Sequence, residues 1–182
     1  MSTYGIPGTV DTPVAGDWVG DGIARIGIFR FGSWFLDNGN GIWDGCGDFP
    51  AQDRCLGPFG DAQDDPVVGD WVGDGVVRIG IYRDGSWFLD NGNGIWDGCG
   101  DFPAQDRCLG PFGGLGGDMP VVGDWIGDGI ARIGIYRSAS WFLDNGNGVW
   151  DGCGDFPAQD GCLGPFGGYQ LGFIYDIPVV GR

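Results

Sequence analysis

The chain has 182 residues and a formal net charge of −16, because all 25 of its acidic residues are Asp and all nine basic residues are Arg. That charge repels phosphate backbones and anionic lipid, which argues against nucleic acid and membrane surfaces as partners. The chain has no His or Lys and no apolar stretch long enough to span a membrane, so we expect neither an enzyme nor insertion into a membrane. The 41 Gly and 11 Pro favour turns over helix and predict an all-β fold.

One segment of 45 residues occurs three times, beginning at Gly16, Gly69 and Gly123. The second copy differs from the first at four positions and the third at six. Such a period predicts a repeat fold in which neighbouring units share their cores. We divide the chain into 1–15 (an N-terminal stray strand and linker), the repeats 16–68, 69–122 and 123–167, and 168–182 (a linker and the first strand of a partial fourth repeat).

The residue pattern of each repeat predicts four short strands, which in the first copy fall at 12–18, 25–30, 33–36 and 56–59. In the second of these strands, Ile26 and Ile28 are expected on the buried face. Residues 2–8 resemble the end of a repeat and predict a stray strand and turn. Four strands in about 50 residues are the content of one propeller blade, so we predict three propeller-type blades with incomplete end strands, or a β-solenoid of the same units.

The segment PVVGDWVGDGVVRIGIYRDGSWFLD, residues 66–90, resembles the FG-GAP or VCBS-like repeats of bacterial secreted proteins, which are related to integrin alpha-chain propeller blades. The resemblance implies one four-stranded blade per repeat. It also implies a calcium-binding loop of the pattern DxDxDGxxD after the first strand.

The chain departs from that pattern in its first loop, where Val19 and Arg25 replace two of the expected oxygen ligands. Asp17 and Asp21 alone are too few for Ca²⁺. We therefore expect Arg25 to replace the ion by pairing with both carboxylates. The same loop salt bridges are predicted among Asp70, Asp74 and Arg78, and among Asp124, Asp128 and Arg132.

A second acidic loop follows the third strand and is the metal candidate. Asp37, Asn38, Asn40 and Asp44 place oxygen ligands of the kind Ca²⁺ prefers within eight residues. The equivalent residues are Asp90, Asn91, Asn93 and Asp97, and Asp144, Asn145, Asn147 and Asp151. The loop is one residue shorter than the family pattern, and the alternative is that these Asn-Gly and Asp-Gly steps only build turns.

Six cysteines form three equally spaced pairs, Cys46/Cys55, Cys99/Cys108 and Cys153/Cys162. Without a CxxC or a His, the spacing favours a disulfide within each repeat over a metal site. Each closed loop should contribute about 2.5 to 3 kcal/mol. Disulfides place the protein outside the cell or on its surface.

Each repeat carries three tryptophans. We expect Trp18 and Trp34 in the core, since both lie in predicted strands. Trp43 lies in the disulfide loop, where it either contacts a sugar or covers the disulfide, and Trp96 and Trp150 are its equivalents.

Two functions remain open. Closed propellers need four or more blades, so the first is a structural subunit that assembles with copies of itself, as a ring or filament, by adding its end strands to a neighbour. The second is a multivalent lectin-like or adhesive module that binds glycans at Trp43, Trp96 and Trp150.

Overall fold

The computed structural model describes residues 4–5, 8 and 10–166. The predicted strand at the end of the chain, in residues 177–182, lies outside this part, as does most of the stray strand in residues 2–8. The described residues form β-strands, turns and loops, and they contain no helix that could cross a membrane.

In the part of the chain that the structure describes, three antiparallel sheets of four strands each account for the regular structure. Within each sheet the strands follow one another in chain order, so every sheet is a simple meander. The strands are β1 Thr12–Gly16, β2 Arg25–Arg30, β3 Ser33–Leu36, β4 Arg54–Leu56, β5 Asp65–Gly69, β6 Arg78–Arg83, β7 Ser86–Leu89, β8 Arg107–Leu109, β9 Met119–Gly123, β10 Arg132–Arg137, β11 Ser140–Leu143 and β12 Gly161–Leu163. This confirms the all-β prediction of three four-stranded units.

The β2–β3 hairpin turns through two residues with positive φ, Phe31 at 51° and Gly32 at 82°. Such left-handed two-residue turns match the twist of the strands they join, which fixes Arg30 opposite Ser33. Gly32 must also be small, because a Cβ there would lie 2.2 Å from the Gly60 carbonyl oxygen.

The predicted bounds of the first and fourth strands are wrong. β1 ends at Gly16, since Asp17 already organises the following turn. β4 covers Arg54–Leu56 and pairs Cys55 with Phe35. The chain cannot continue that pairing, because Gly57 takes a φ of 112° and Pro58 has no backbone N–H to donate.

The hydrophobic cores lie between repeats. Trp18, Trp34 and Phe59 of the first repeat pack in one cluster with Ile79 and Ile81 of the second, which confirms that both tryptophans are core residues. The second repeat supplies Trp71, Trp87 and Phe112 to a matching cluster that Ile133 and Ile135 of the third complete. A repeat therefore needs its neighbour to bury its own aromatic residues.

This arrangement corrects the expected burial of the second strand. Ile26 is 48% exposed in the first repeat, whereas its equivalents Ile79 and Ile133 are 1% and 0% exposed. In β6 four successive residues are buried, so both faces of that sheet are covered. The reason is that one face packs on the preceding repeat and the other on the following one.

The three predicted disulfides are present, Cys46–Cys55, Cys99–Cys108 and Cys153–Cys162, each with Cα atoms 5.4 Å apart. Each bond ties the long loop after the third strand to the fourth strand. This covalent link holds loops that contain almost no regular pairing of their own.

Candidate functional site

The first loop is closed by an aspartate and an arginine. One Asp17 carboxylate oxygen accepts hydrogen bonds from the backbone N–H groups of Val19, Gly20 and Asp21. Arg25 donates two hydrogen bonds, of 2.9 and 2.7 Å, to the two carboxylate oxygens of Asp21, and its Nη1 lies 3.6 Å from Asp17 Oδ1. The guanidinium thus occupies the centre of the loop, as the sequence predicts.

The other two repeats reproduce this geometry. Arg78 Nη2 lies 2.6 Å from Asp74 Oδ2, and Arg132 Nη2 lies 2.6 Å from Asp128 Oδ2. The hydrogen bonds from Arg25 and Arg78 lower the pKa of Asp21 and Asp74 to about 2. Asp70 and Asp124 hold the loop backbone as Asp17 does, which completes three equivalent salt-bridged loops.

The second loop satisfies its own polar groups. Asp37 accepts hydrogen bonds from the N–H groups of Gly39 and Gly41, both at 2.9 Å. The side-chain amides of Asn38 and Asn40 both donate to one carboxylate oxygen of Asp44. The structure therefore brings Asn38 and Asn40 to Asp44, while Asp37 bonds separately to the loop backbone, and both sets of hydrogen bonds are of the kind that the turn-building alternative describes.

The equivalent residues repeat these contacts. Asn91 and Asn93 donate to Asp97, and Asn145 and Asn147 donate to Asp151, while Asp90 and Asp144 hold the backbone of their loops. Within the described residues, no group of three or more His, Cys, Asp or Glu side chains is arranged to hold a metal ion. Calcium binding stays a prediction.

A buried aspartate that the sequence did not single out organises this loop. Asp53 is fully buried and accepts hydrogen bonds from the backbone N–H groups of Asn38 and Asp44. Its equivalents are Asp106 and Asp160, and burial raises the pKa of all three, against the opposing effect of these hydrogen bonds. The signal in the sequence was only the repeated position two residues before the second cysteine of each repeat.

Trp96 and Trp150 lie at the junctions between repeats, and Trp43 lies at the equivalent place on the first repeat. Trp43, Trp96 and Trp150 are 40%, 43% and 44% exposed. Trp96 makes an edge contact with Phe59 of the preceding repeat, with ring centroids 5.9 Å apart, and a second with Phe88 of its own repeat. Trp150 contacts Phe112 and Phe142 in the same way.

Each internal junction has a cavity beside this tryptophan. The first, of about 320 Å³, is lined by Phe59, Ile81, Arg83, Phe88 and Trp96 among others. The second, of about 430 Å³, is lined by the equivalent residues Phe112, Ile135, Arg137, Phe142 and Trp150.

An arginine forms one wall of each cavity, and sequence analysis missed it. Arg83 lies over the Phe88 ring at 5.8 Å and pairs with the buried carboxylate of Asp64, with Nε and Oδ1 2.6 Å apart. Arg137 makes the same contacts with Phe142 and Asp118. The signal available in the sequence was the arginine at the end of the second strand of every repeat.

The junction itself is built from backbone hydrogen bonds and small residues. Val77 N–H donates to the Asp17 carbonyl at 2.8 Å, and Gly57 N–H donates to the Gly94 carbonyl at 2.9 Å. Gly94 cannot carry a side chain, because a Cβ there would lie 2.4 Å from Leu56 Cδ2. The second junction repeats these bonds between Ala131 and Asp70 and between Gly110 and Gly148.

We call the two sides of a junction the leading and trailing faces. The leading face belongs to the following repeat, and in the second repeat it comprises Val76, Val77, Ile79 and Gly94. The trailing face belongs to the preceding repeat, and in the first repeat it comprises Gly16, Gly20, Leu56 and Phe59.

At the two ends of the described structure these faces are exposed. On the leading face of the first repeat, Ile23 and Ile26 are exposed, and a Cβ on Gly41 would meet nothing within 4 Å. On the trailing face of the third repeat, Leu163 is exposed, and Phe166 is 77% exposed although its equivalents Phe59 and Phe112 are each 1% exposed.

The fold and these faces define an all-β protein of three disulfide-bonded repeats whose cores form between units. Comparison with known protein-family models, curated proteins and solved structures finds no match to this chain.

Proposed function

We propose that this protein is an extracellular structural repeat protein that assembles with copies of itself, head to tail, into a ring or a filament. The observation that carries the proposal is the exposure of one leading and one trailing face on the same chain. Exposed apolar surface that is buried at equivalent positions elsewhere in the same fold marks an interaction site. A contact between two different faces propagates, and it closes into a ring or continues as a filament.

The repeats support a propeller-type arrangement of blades, as the resemblance to FG-GAP or VCBS-like repeats implies. β1 lies against β5, and β5 against β9, so the first strands of successive sheets are neighbours. First strands that adjoin around an axis are what a propeller requires, and three blades would leave such a ring open. Blades from a second chain would then continue it.

The residues on the end faces match an internal junction. At the second junction, Cβ atoms on Gly69 and Gly73 would abut Ala131 and Ile130, respectively. The first repeat carries the same pair, Ala24 and Ile23, on its exposed leading face.

The exposed trailing face supplies the other half of that match. Gly123 and Gly127 of the third repeat correspond to Gly69 and Gly73. At these positions a contact between two copies would therefore bring together the same residue types as the second internal junction, while Gly161 replaces Arg107 elsewhere on the trailing face. The end strand predicted in residues 177–182 would add backbone pairing to this contact.

Two charge substitutions test the proposal. Ile26→Arg spoils the leading face and Leu163→Arg spoils the trailing face, so each variant alone should stay monomeric by analytical ultracentrifugation. Their equimolar mixture should form dimers and nothing larger, because each partner retains one intact face.

The matched control is Ala62→Arg, which adds the same charge at an exposed linker residue away from both faces. This control should assemble as the unmodified protein does. Unmodified protein of constant monomeric mass at every concentration, or a Leu163→Arg variant that assembles fully, would overturn the proposal.

The junction cavities favour a second candidate function, a multivalent lectin-like or adhesive module. Both cavities combine an exposed tryptophan edge with phenylalanine rings and an arginine, and apolar walls with few polar groups are typical of ligand sites. Equivalent sites on one chain would gain avidity from multivalency.

Fluorescence titration with neutral sugars tests this candidate. Binding that Trp96→Ala and Trp150→Ala weaken would support it. Phe31→Asp is the control, because it removes an exposed aromatic side chain outside the cavities and introduces the residue that the second repeat has at that position. Sugar binding that survives loss of both tryptophans would exclude the cavities as the site.

A further inference from the structure

Among the described residues no repeat precedes the first one, and part of the N-terminal segment takes that place. Tyr4 contacts the Trp43 ring edge-on, with centroids 5.9 Å apart and planes at 82°. At the internal junctions the same contact, at 5.9 and 5.8 Å, is made by Phe59 with Trp96 and by Phe112 with Trp150.

The following glycine supports the equivalence. Gly5 has a φ of 97°, and Gly60 and Gly113, which follow the two phenylalanines, have 100° and 94°. A Cβ on Gly5 would approach Asp11 and Ile28, whereas one on Gly60 would approach the equivalent residues Asp64 and Ile81. Residues 4–5, which we call the N-terminal plug, therefore reproduce the end of a preceding repeat.

Phe166 of the third repeat is the residue that would make this contact between two copies. Its N–H donates to the Ala139 carbonyl at 2.8 Å, as the Phe59 N–H does to the Gly32 carbonyl at 2.8 Å. Its backbone is therefore already placed as at an internal junction, while its side chain is exposed. The Trp43 edge can accept either Tyr4 or the Phe166 of another copy, and the two exclude each other.

The tyrosine fits this position less well than a phenylalanine. Its hydroxyl oxygen is buried, and none of the described groups forms a hydrogen bond with it. Burial, followed by the negative charges of Asp53, Asp37 and Asp44, raises the pKa of Tyr4, so the hydroxyl keeps its proton. A buried polar group without a partner destabilises the arrangement that contains it, and a phenylalanine has no such group.

We propose that the N-terminal plug is a built-in competitor of assembly, which occupies one corner of the leading face until Phe166 of a second copy displaces it. This inference rests on the proposed head-to-tail assembly. The rest of the leading face, including Ile23 and Ile26, stays exposed beside the plug and can receive the incoming copy first. The unsatisfied hydroxyl weakens the plug and favours the exchange.

The test measures association between one accepting and one donating chain. The acceptor carries Leu163→Arg and the donor Ile26→Arg, so that only one junction can form. In the acceptor, Tyr4→Ala should empty the site and tighten the dissociation constant by about tenfold, since the apparent affinity follows the fraction of competent sites. Tyr4→Phe removes the unsatisfied hydroxyl, strengthens the plug and should weaken association by about threefold.

The outcomes separate this inference from the proposal beneath it. If Tyr4→Ala in the acceptor leaves association unchanged or weakens it, the plug is not a competitor of assembly. Head-to-tail assembly itself would still stand. Absence of association in every pair, at concentrations where each variant is folded by circular dichroism, would overturn both. Tyr4→Ala in the donor is the internal control, and it should leave the dissociation constant unchanged.

Discussion

The internal junctions and the end faces are made of equivalent strands with nearly the same residues, and the main difference between them is the presence of a neighbour. Ile79 is buried against the aromatic cluster of the first repeat, whereas Ile26, at the same place in β2, is largely exposed. Phe59 and Phe166 differ in the same way at the other side of the junction. Burial in this protein is thus a property of a pair of repeats, and a single repeat has only half a core.

The largest expected effect on stability comes from truncating an isoleucine at an internal junction. The same truncation on the exposed face is the comparison. Ile79→Ala should lower the free energy of unfolding by about 3 to 4 kcal/mol, because it leaves a cavity in a closed core. Ile26→Ala should cost less than about 1 kcal/mol in dilute monomer, because the side chain is exposed there.

Urea unfolding of the oxidised protein, below the concentration at which it assembles, measures both values. Equal costs for the two substitutions would contradict the division into buried junctions and open faces. A loss of unfolding free energy in Ile26→Ala that grows with protein concentration would support this division, since assembly would then bury that residue.

A second effect, of up to about 3 kcal/mol, concerns a carboxylate beneath the first junction. Asp90 is 2% exposed, and burial raises its pKa to about 6, although hydrogen bonds from Gly94 and Gly92 oppose the shift. Between about pH 4 and pH 6 the folded protein keeps a proton that the unfolded chain releases. Stability from this group is therefore complete below pH 4 and is lost as the pH rises to 6.

Asp90→Asn should remove this part of the decline between pH 4 and pH 6, as measured by urea unfolding at a series of pH values. Asp84→Asn is the control, because that side chain is exposed in a turn. Below pH 4 the trend should reverse in both variants, since protonation of Asp21 and Asp74 breaks their pairs with arginine. An unchanged slope in Asp90→Asn would show that this carboxylate is not the source.

The smallest effect concerns an arginine that the last repeat lacks. Arg54 donates a hydrogen bond of 3.1 Å across the first junction to the Gly92 carbonyl, but the third repeat has Gly161 at that position. Gly161→Arg in the donor chain should tighten association between copies about fivefold, or about 1 kcal/mol.

Gly161→Gln is the matched control, which adds a polar stem without the charge, and it should recover less of the gain. Analytical ultracentrifugation of the two-variant dimer gives the dissociation constants. Weaker association with Gly161→Arg would mean that the contact between copies does not follow the internal register.

Much of the fold could be predicted from the sequence, because its signals are local and occur three times. The alternating segment at Arg25–Arg30 predicts β2 with its correct bounds, and the paired cysteines predict the disulfides. The arginine in place of a calcium ligand predicts its own ion pair with Asp21. These inferences need only the residues of one repeat.

What could not be predicted depends on contacts between repeats or on burial of polar groups. Ile26 is exposed because none of the described repeats packs on that face, and the alternation of residues in β2 carries no information about such packing. Aspartate is common in exposed loops, yet Asp53 is fully buried, because two backbone N–H groups need an acceptor there. The Arg83–Asp64 pair joins residues 19 apart and was equally hidden.

The most direct test of head-to-tail assembly is the mass of the unmodified, oxidised protein across a concentration series, measured by analytical ultracentrifugation and viewed by negative-stain electron microscopy. Assembly predicts a mass that rises with concentration, with rings or filaments of uniform width, and Leu163→Arg should abolish both. A constant monomeric mass, with small uniform particles at every concentration, would contradict it.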